Sequence, residues 1–164
     1  MNLTFDAQLQ VALRALEEVV APALGNAEKH VVEQLHLAML TIGFVKTRLP
    51  DVRRYARMEL AAFARLAEDS VAAAGHAPAA AAAAADGRAL LADPGADVAD
   101  LEAAICRLRD EVTALGSRCA DPALRAALDR LVLDSGAAMI AQARQWTTPF
   151  GFELRPEDLP PPAW

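Results

Sequence analysis

Glu33 and His36 stand three residues apart in this sequence, a carboxylate and an imidazole of the kinds that bind metal ions. On a helix that spacing stacks the two side chains on one face, so both can reach a single ion. Glu18 and Glu59 could add carboxylates to such a centre, whereas His30 and His76 are isolated at expected helix ends, where a surface histidine is ordinary. The second concentration of chemistry is cationic. Lys46, Arg48, Arg53, Arg54 and Arg57 are five of the 16 basic residues, with Asp51 the single acid among them. Arg53 and Arg57 are four apart and Arg54 and Arg57 three apart, so their guanidinium groups crowd one helical face unless an anion bridges them. A phosphate or carboxylate ligand would serve. Pairing with the chain's own acids, or plain solvation, is the plainer account and stands ahead of it.

The spacing Glu33-Gln34-Leu35-His36 resembles the ExxH element of ferritin-like di-iron bundles, which use two such motifs and two further inward glutamates. The resemblance covers four residues, and no histidine follows His76 to make a second motif. A metal-dependent oxidase is therefore the third reading in rank, and no cofactor is expected. Three serines, one tyrosine and three histidines, with no GxSxG, glycine-rich phosphate loop, HExxH or Cys-His pattern, leave catalysis without a motif.

Charge and hydropathy exclude several partners. A net charge of −6 argues against a generic nucleic-acid binder, which carries a basic footprint. The longest strongly apolar stretch, Leu37 to Val45, is nine residues, against the ~20 that a helix needs to cross a bilayer. Residues 1–9 have Asp6 and no basic start, unlike a secretory signal. Cys106 and Cys119 are too far apart to pair along one helix, and they read as reduced thiols in a cytoplasmic protein.

The elements that must position these residues are helices. The sequence has 39 alanines and eight glycines, a composition that favours helix over strand. Apolar residues at three- and four-residue spacing predict helices over Phe5–Leu24 and Ala27–Leu49. The first opens on Thr4 as N-cap and is closed by Gly25-Asn26; Pro50 stops the second. A third starts near Asp51 and ends at Gly75. Pro78 and seven consecutive alanines predict a short crossover helix up to about Asp93. Gly87 is its weak point, its apolar payload is small, and mobility is expected there. A fourth long helix runs from Ala99 to about Gly116 with Asp97 as cap. A fifth is opened by Asp121-Pro122 and runs to Trp146, with Gly136 in its middle. Connections of two or three residues make neighbouring helices antiparallel. The expected fold is all-α: an antiparallel up-and-down helical bundle of four long helices plus a short Ala-rich crossover helix and an extended Pro-rich C-terminal arm. Residues 1–146 form one domain and 147–164 the arm.

The second helix is apolar beyond its stripe, at Leu37, Met39, Leu40 and Phe44, so it needs cover on several sides. Gly43 and Gly136 read as places where two helices approach closely. The arm carries five of the ten prolines yet keeps Phe150, Phe152 and Trp164, so it should lie extended along the bundle or on a neighbouring subunit. The leading functional expectation is a non-catalytic interaction or accessory protein, a homodimer or a binder of another protein. It would act through Leu37, Leu40, Phe44, Phe150, Phe152 and Trp164. The alternative is a small-molecule binder with an interhelical apolar cavity and the Lys46, Arg48, Arg53, Arg54, Arg57 patch as anion site. Neither nucleic acid nor membrane is expected as a partner.

Overall fold

The computed structural model describes residues 4–25 and 27–164; helices are the regular elements throughout, and among the described residues there is no strand. The all-α class follows. Helix α1 (Phe5–Ala15) starts as expected on Thr4, whose Oγ1 accepts a hydrogen bond from the Ala7 N–H at 3.3 Å. It runs on through a π-helical turn, Leu16–Val20, into the short α2 (Ala21–Ala23). Pro22 accounts for the widened turn, because it has no N–H to give to the Glu18 carbonyl and its ring crowds that oxygen. The Ala21 N–H bonds instead to the Leu16 carbonyl, five residues back. Gly25, at φ 44, ends the segment, while Asn26, its expected companion, lies outside the described residues.

Helix α3 (Lys29–Arg48) is followed by a 3₁₀ turn, Leu49–Asp51, and then by α4 (Val52–Ala74), which Gly75 stops in the left-handed region at φ 72. Next come α5 (Pro78–Ala92), α6 (Val98–Arg118) and α7 (Pro122–Thr147). Asp121 caps α7 through its Oδ1, which accepts from the Ala123 N–H at 2.9 Å. Asp97 holds the N-cap position of α6 with extended backbone, but its carboxylate makes no capping bond, contrary to expectation.

The chain packs as two compact units, Met1–Pro50 with Arg144–Asp158, and Asp51–Ala143 with Leu159–Trp164. In the second, α4, α5 and α6 pack on one another. The core they share holds Ala56, Leu60, Ala64 and Ala67 of α4, Ala84 of α5, and Leu101, Ala104, Ile105 and Leu108 of α6. The Ala-rich segment is thus a full partner in the core where a loosely attached crossover was expected. The reason is distance: alanines and a glycine let the backbones close in until little volume is needed to fill the gap. Gly87 is buried without interrupting α5, and a Cβ there would lie 3.3 Å from Leu108 Cδ1 and 3.5 Å from Leu60 Cδ1. A third expectation corrected concerns Gly43 and Gly136. A Cβ at either would meet nothing within 4 Å, so neither marks a close crossing within the chain.

In the first unit α1 and the π-helical turn pack against α3, and Lys46 reaches Asp6 at 3.4 Å. None of its described residues is buried.

Two glycine substitutions separate these environments. Gly87→Val overpacks the seam and should cost about 1–3 kcal/mol. Gly136→Ala adds a methyl to open space and should stabilise by about 1 kcal/mol through helix propensity. Urea-unfolding midpoints followed by circular dichroism measure both.

Candidate functional site

Large apolar side chains of the first unit lie open: Phe5 is 75% exposed, Val19 66% and Leu37 48%, and Val11, Leu40 and Val45 are exposed as well. A groove of about 560 Å³ runs between α1 and α3, lined by Leu13, Glu17, His36, Leu40, Gly43 and Pro149 among others. Gly43 contributes bare backbone to this groove.

One end of α3 carries an aromatic cluster. Phe44 stacks on Phe150 with ring centroids 4.3 Å apart and planes 13° from parallel, and Phe150 stacks in turn on Phe152 at 5.9 Å. Trp146 meets Phe44 edge-on at 6.2 Å. Arg48 fixes the arrangement: its Nε donates to the Trp146 carbonyl at 2.7 Å, and its Nη2 to the Gln145 carbonyl and Thr148 Oγ1 at 2.8 and 3.0 Å. Those carbonyls belong to the last turn of α7, where no further N–H is available to them. Arg144 pairs with both oxygens of Glu153 at 2.7 and 2.9 Å, which folds the following segment back. Of the expected interface residues, Leu37, Leu40, Phe44, Phe150 and Phe152 share this unit. Trp164 belongs to the second, where its ring meets Tyr55 edge-on at 5.3 Å and the Gln142 amide holds Pro161 and Ala163 by their backbones.

Each member of the cationic run has an acceptor in the chain. Lys46 and Arg48 are accounted for above. Arg53 donates to the Pro94 carbonyl, Arg57 to the carbonyls of Leu91 and Asp93, and Arg54 pairs with Asp51 at 3.2 Å. Arg57 thus serves the C-terminal end of α5, whose carbonyls and dipole favour a cation, and Arg53 serves the turn that follows it. The crowding that suggested a bridging anion is relieved because these guanidiniums turn to different oxygens.

Glu33 pairs with Lys29 at 3.5 Å, while His36 lines the groove. Glu18 lies in the first unit and Glu59 in the second. Among the described residues no three His, Cys, Asp or Glu side chains gather so as to hold a metal ion, so the donor set does not fit a di-iron centre.

Sequence reasoning named Glu59 only as a spare carboxylate. In the structure it lines a cavity of about 200 Å³ between α4 and α7, together with Tyr55, Met58, Phe63, Gly136 and Met139. Burial raises the Glu59 pKa above the usual carboxylate value; Arg109 opposes the shift and Glu102 adds to it. Burial, and then Glu59 itself, raise the Tyr55 hydroxyl. The signal was present in the sequence: Tyr55, Glu59 and Phe63 recur every four residues beside the Ala56/Leu60 stripe, on a face that could not be wholly solvated.

Compared with known proteins, the chain matches no family model, and neither a curated protein nor a solved structure is significantly similar to it.

Two outcomes follow from this chemistry. Arg57→Met strips two backbone carbonyls of their donor and should cost about 1–3 kcal/mol, whereas Arg54→Met, at an exposed ion pair, should stay within about 0.5 kcal/mol. Chemical denaturation compares them. Glu59, with its pKa raised on folding, contributes stability that is complete below the pKa of an unfolded glutamate and is lost as pH rises through the folded value. Glu59→Gln should therefore gain on the parent protein as pH goes from about 4 to about 7, read from unfolding midpoints across that range.

Proposed function

We propose that this chain is a non-catalytic interaction module whose first unit, built on α1 to α3, assembles with a second copy of itself. The observation behind this is the absence of any buried residue among the described residues of that unit, although Leu37, Leu40 and Val45 of α3 and Phe5, Val11 and Val19 nearby are large, apolar and open. Two helices side by side form one layer, and an apolar layer needs a second to enclose a core. The 20 residues of α3 span about 30 Å; with a neighbouring helix the face is on the order of 600 Å² before corrugation, close to the ~800 Å² that each partner contributes to a stable interface. A second hairpin laid on the first completes a four-helix bundle of the antiparallel kind that the apolar spacing suggests. Gly43, open on its groove, is where a partner helix can come closest.

The free thiols Cys106 and Cys119 suit a reducing cytoplasm, and among the described residues no helix is long and apolar enough to cross a membrane. The alternative of an anionic ligand at Arg53, Arg54 and Arg57 has less behind it, since those side chains already serve α5 and Asp51.

Sedimentation equilibrium should return about twice the 17.4 kDa chain mass. The double substitution Leu37→Asp/Leu40→Asp should return the single-chain mass while the helical dichroism persists. A parent protein that stays a single chain at tens of micromolar, or a double variant that still pairs, would rule self-assembly out.

A further inference from the structure

We propose that the cavity between α4 and α7 is a binding site for a small arylalkyl ammonium ion, with Glu59 as its counter-charge and Phe63, Met58 and Met139 around its ring. The site is independent of the self-assembling face, since all the residues involved belong to the second unit.

Size, composition and charge each narrow the occupant. A cavity of roughly 150 Å³ lined by aliphatic and aromatic side chains takes up benzene. At about 200 Å³ this one accommodates a single ring with a short arm. Its walls are apolar at Met58, Phe63, Met139 and Ile140, and the polar groups are the Tyr55 hydroxyl and the Glu59 carboxyl, both from α4. The pocket is a cleft open to water on one side, with Ile140 of its wall 62% exposed, and an apolar cleft with one or two placed polar groups is a usual form of small-molecule site. Thioethers and aromatic faces also suit a ring carrying a cation.

The glycine in the wall is a separate observation. A mid-helix glycine costs about 1 kcal/mol relative to alanine. At Gly87 the cost is offset by the close approach of Leu60 and Leu108, but at Gly136 no atom of another described segment comes within 4 Å of where a Cβ would stand. What Gly136 provides is depth, an uncovered stretch of α7 backbone on the floor of the cavity, opposite no side chain that needs the room.

Charge decides between an amine, a neutral molecule and an acid. The charged groups acting on Glu59 are Arg109 and Glu102, both of α6, so with Glu59 itself the local balance is one negative. Arg109 lies against the Phe63 ring, 5.9 Å from its centroid, and acts on Glu59 through its charge. An acid would meet Glu59 head-on, and a neutral ring would strip water from the carboxylate without replacing it. An ammonium group supplies the missing partner. The raised affinity of Glu59 for a proton points the same way, because a carboxylate short of water gains from any cation placed beside it.

The experiment uses the full-length protein labelled with ¹³C at its methionine methyls, with β-phenethylamine, toluene and 3-phenylpropionate as probes. β-Phenethylamine, raised to about 10 mM so that even a ~1 mM site fills, should shift the Met58 and Met139 resonances and leave Met39 in place. Toluene and 3-phenylpropionate should bind at least tenfold more weakly. Glu59→Gln, with unchanged dichroism, should lose at least tenfold in amine affinity, and in the parent protein that affinity should fall as pH drops through the Glu59 titration. Tyr55, its pKa raised by burial, keeps its proton over that range, and the charged neighbours that act on the carboxylate are Arg109 and Glu102. Undisturbed methionines, equal affinity for the acid or the neutral ring, equal disturbance of Met39, or a Glu59→Gln protein that binds as the parent does would each overturn the assignment.

Discussion

Helices made largely of alanine bury surface only where their backbones come close, and this constraint governs the rest of the molecule. Packed helices ordinarily stand 8–10 Å apart, the separation set by the side chains between them. In the α4–α5–α6 seam, small residues and larger ones alternate: Ala56, Ala64, Ala84 and Gly87 face Leu60, Leu101, Ile105 and Leu108, and the gap closes. Where large side chains have no such small counterparts in reach, it stays open. Leu128 is the buried residue of α7, and the first unit has none among its described residues. Core and grooves are thus products of one economy of side-chain volume.

Arginine supplies the second means of holding these helices. Arg48 satisfies the end of α7, Arg57 the end of α5, and Arg53 the turn just after α5. A guanidinium with five donors in a planar fork can serve two or three carbonyls at once, which an ammonium group cannot do with the same geometry. This gives Arg48, Arg53 and Arg57 a structural role at or just beyond the chain's own helix ends, and it accounts for arginine in the first turns of α4, a position the helix dipole alone disfavours. The cost of cations at one helix start is offset by the carbonyls of another helix end.

Helix limits were legible in the sequence because local chemistry sets them. Thr4, Gly75 and the Asp121-Pro122 pair each act within a turn of their own position, and each is found where its chemistry puts it. Pro22 was equally visible, yet its π-helical consequence depends on whether the chain continues as helix past it, which packing decides. Glycine was the least legible. Gly43, Gly87 and Gly136 all sit within helices and have the same local signature, but only Gly87 meets a neighbour, because the distance to the next helix is a property of the whole assembly. The partners of Arg53 and Arg57 were hidden for a related reason. Acids can be counted along a sequence, whereas the carbonyls that these residues found are present at every position and become acceptors only where a helix ends nearby.

The excess of acid over base acts in opposite senses on the two open regions. With 22 acidic and 16 basic residues and a net charge of −6, copies of the chain repel one another at long range. The proposed self-assembly through α1 and α3 therefore requires apolar contact strong enough to exceed that repulsion, which dissolved salt weakens. The same field draws a small cation toward Glu59, and salt weakens that attraction too. Contact area is what the first proposed association rests on, and charge the second. A face rich in leucine and valine with few acids between them and a lone carboxyl among methionines are accordingly different solutions to the problem of surface that the chain leaves uncovered.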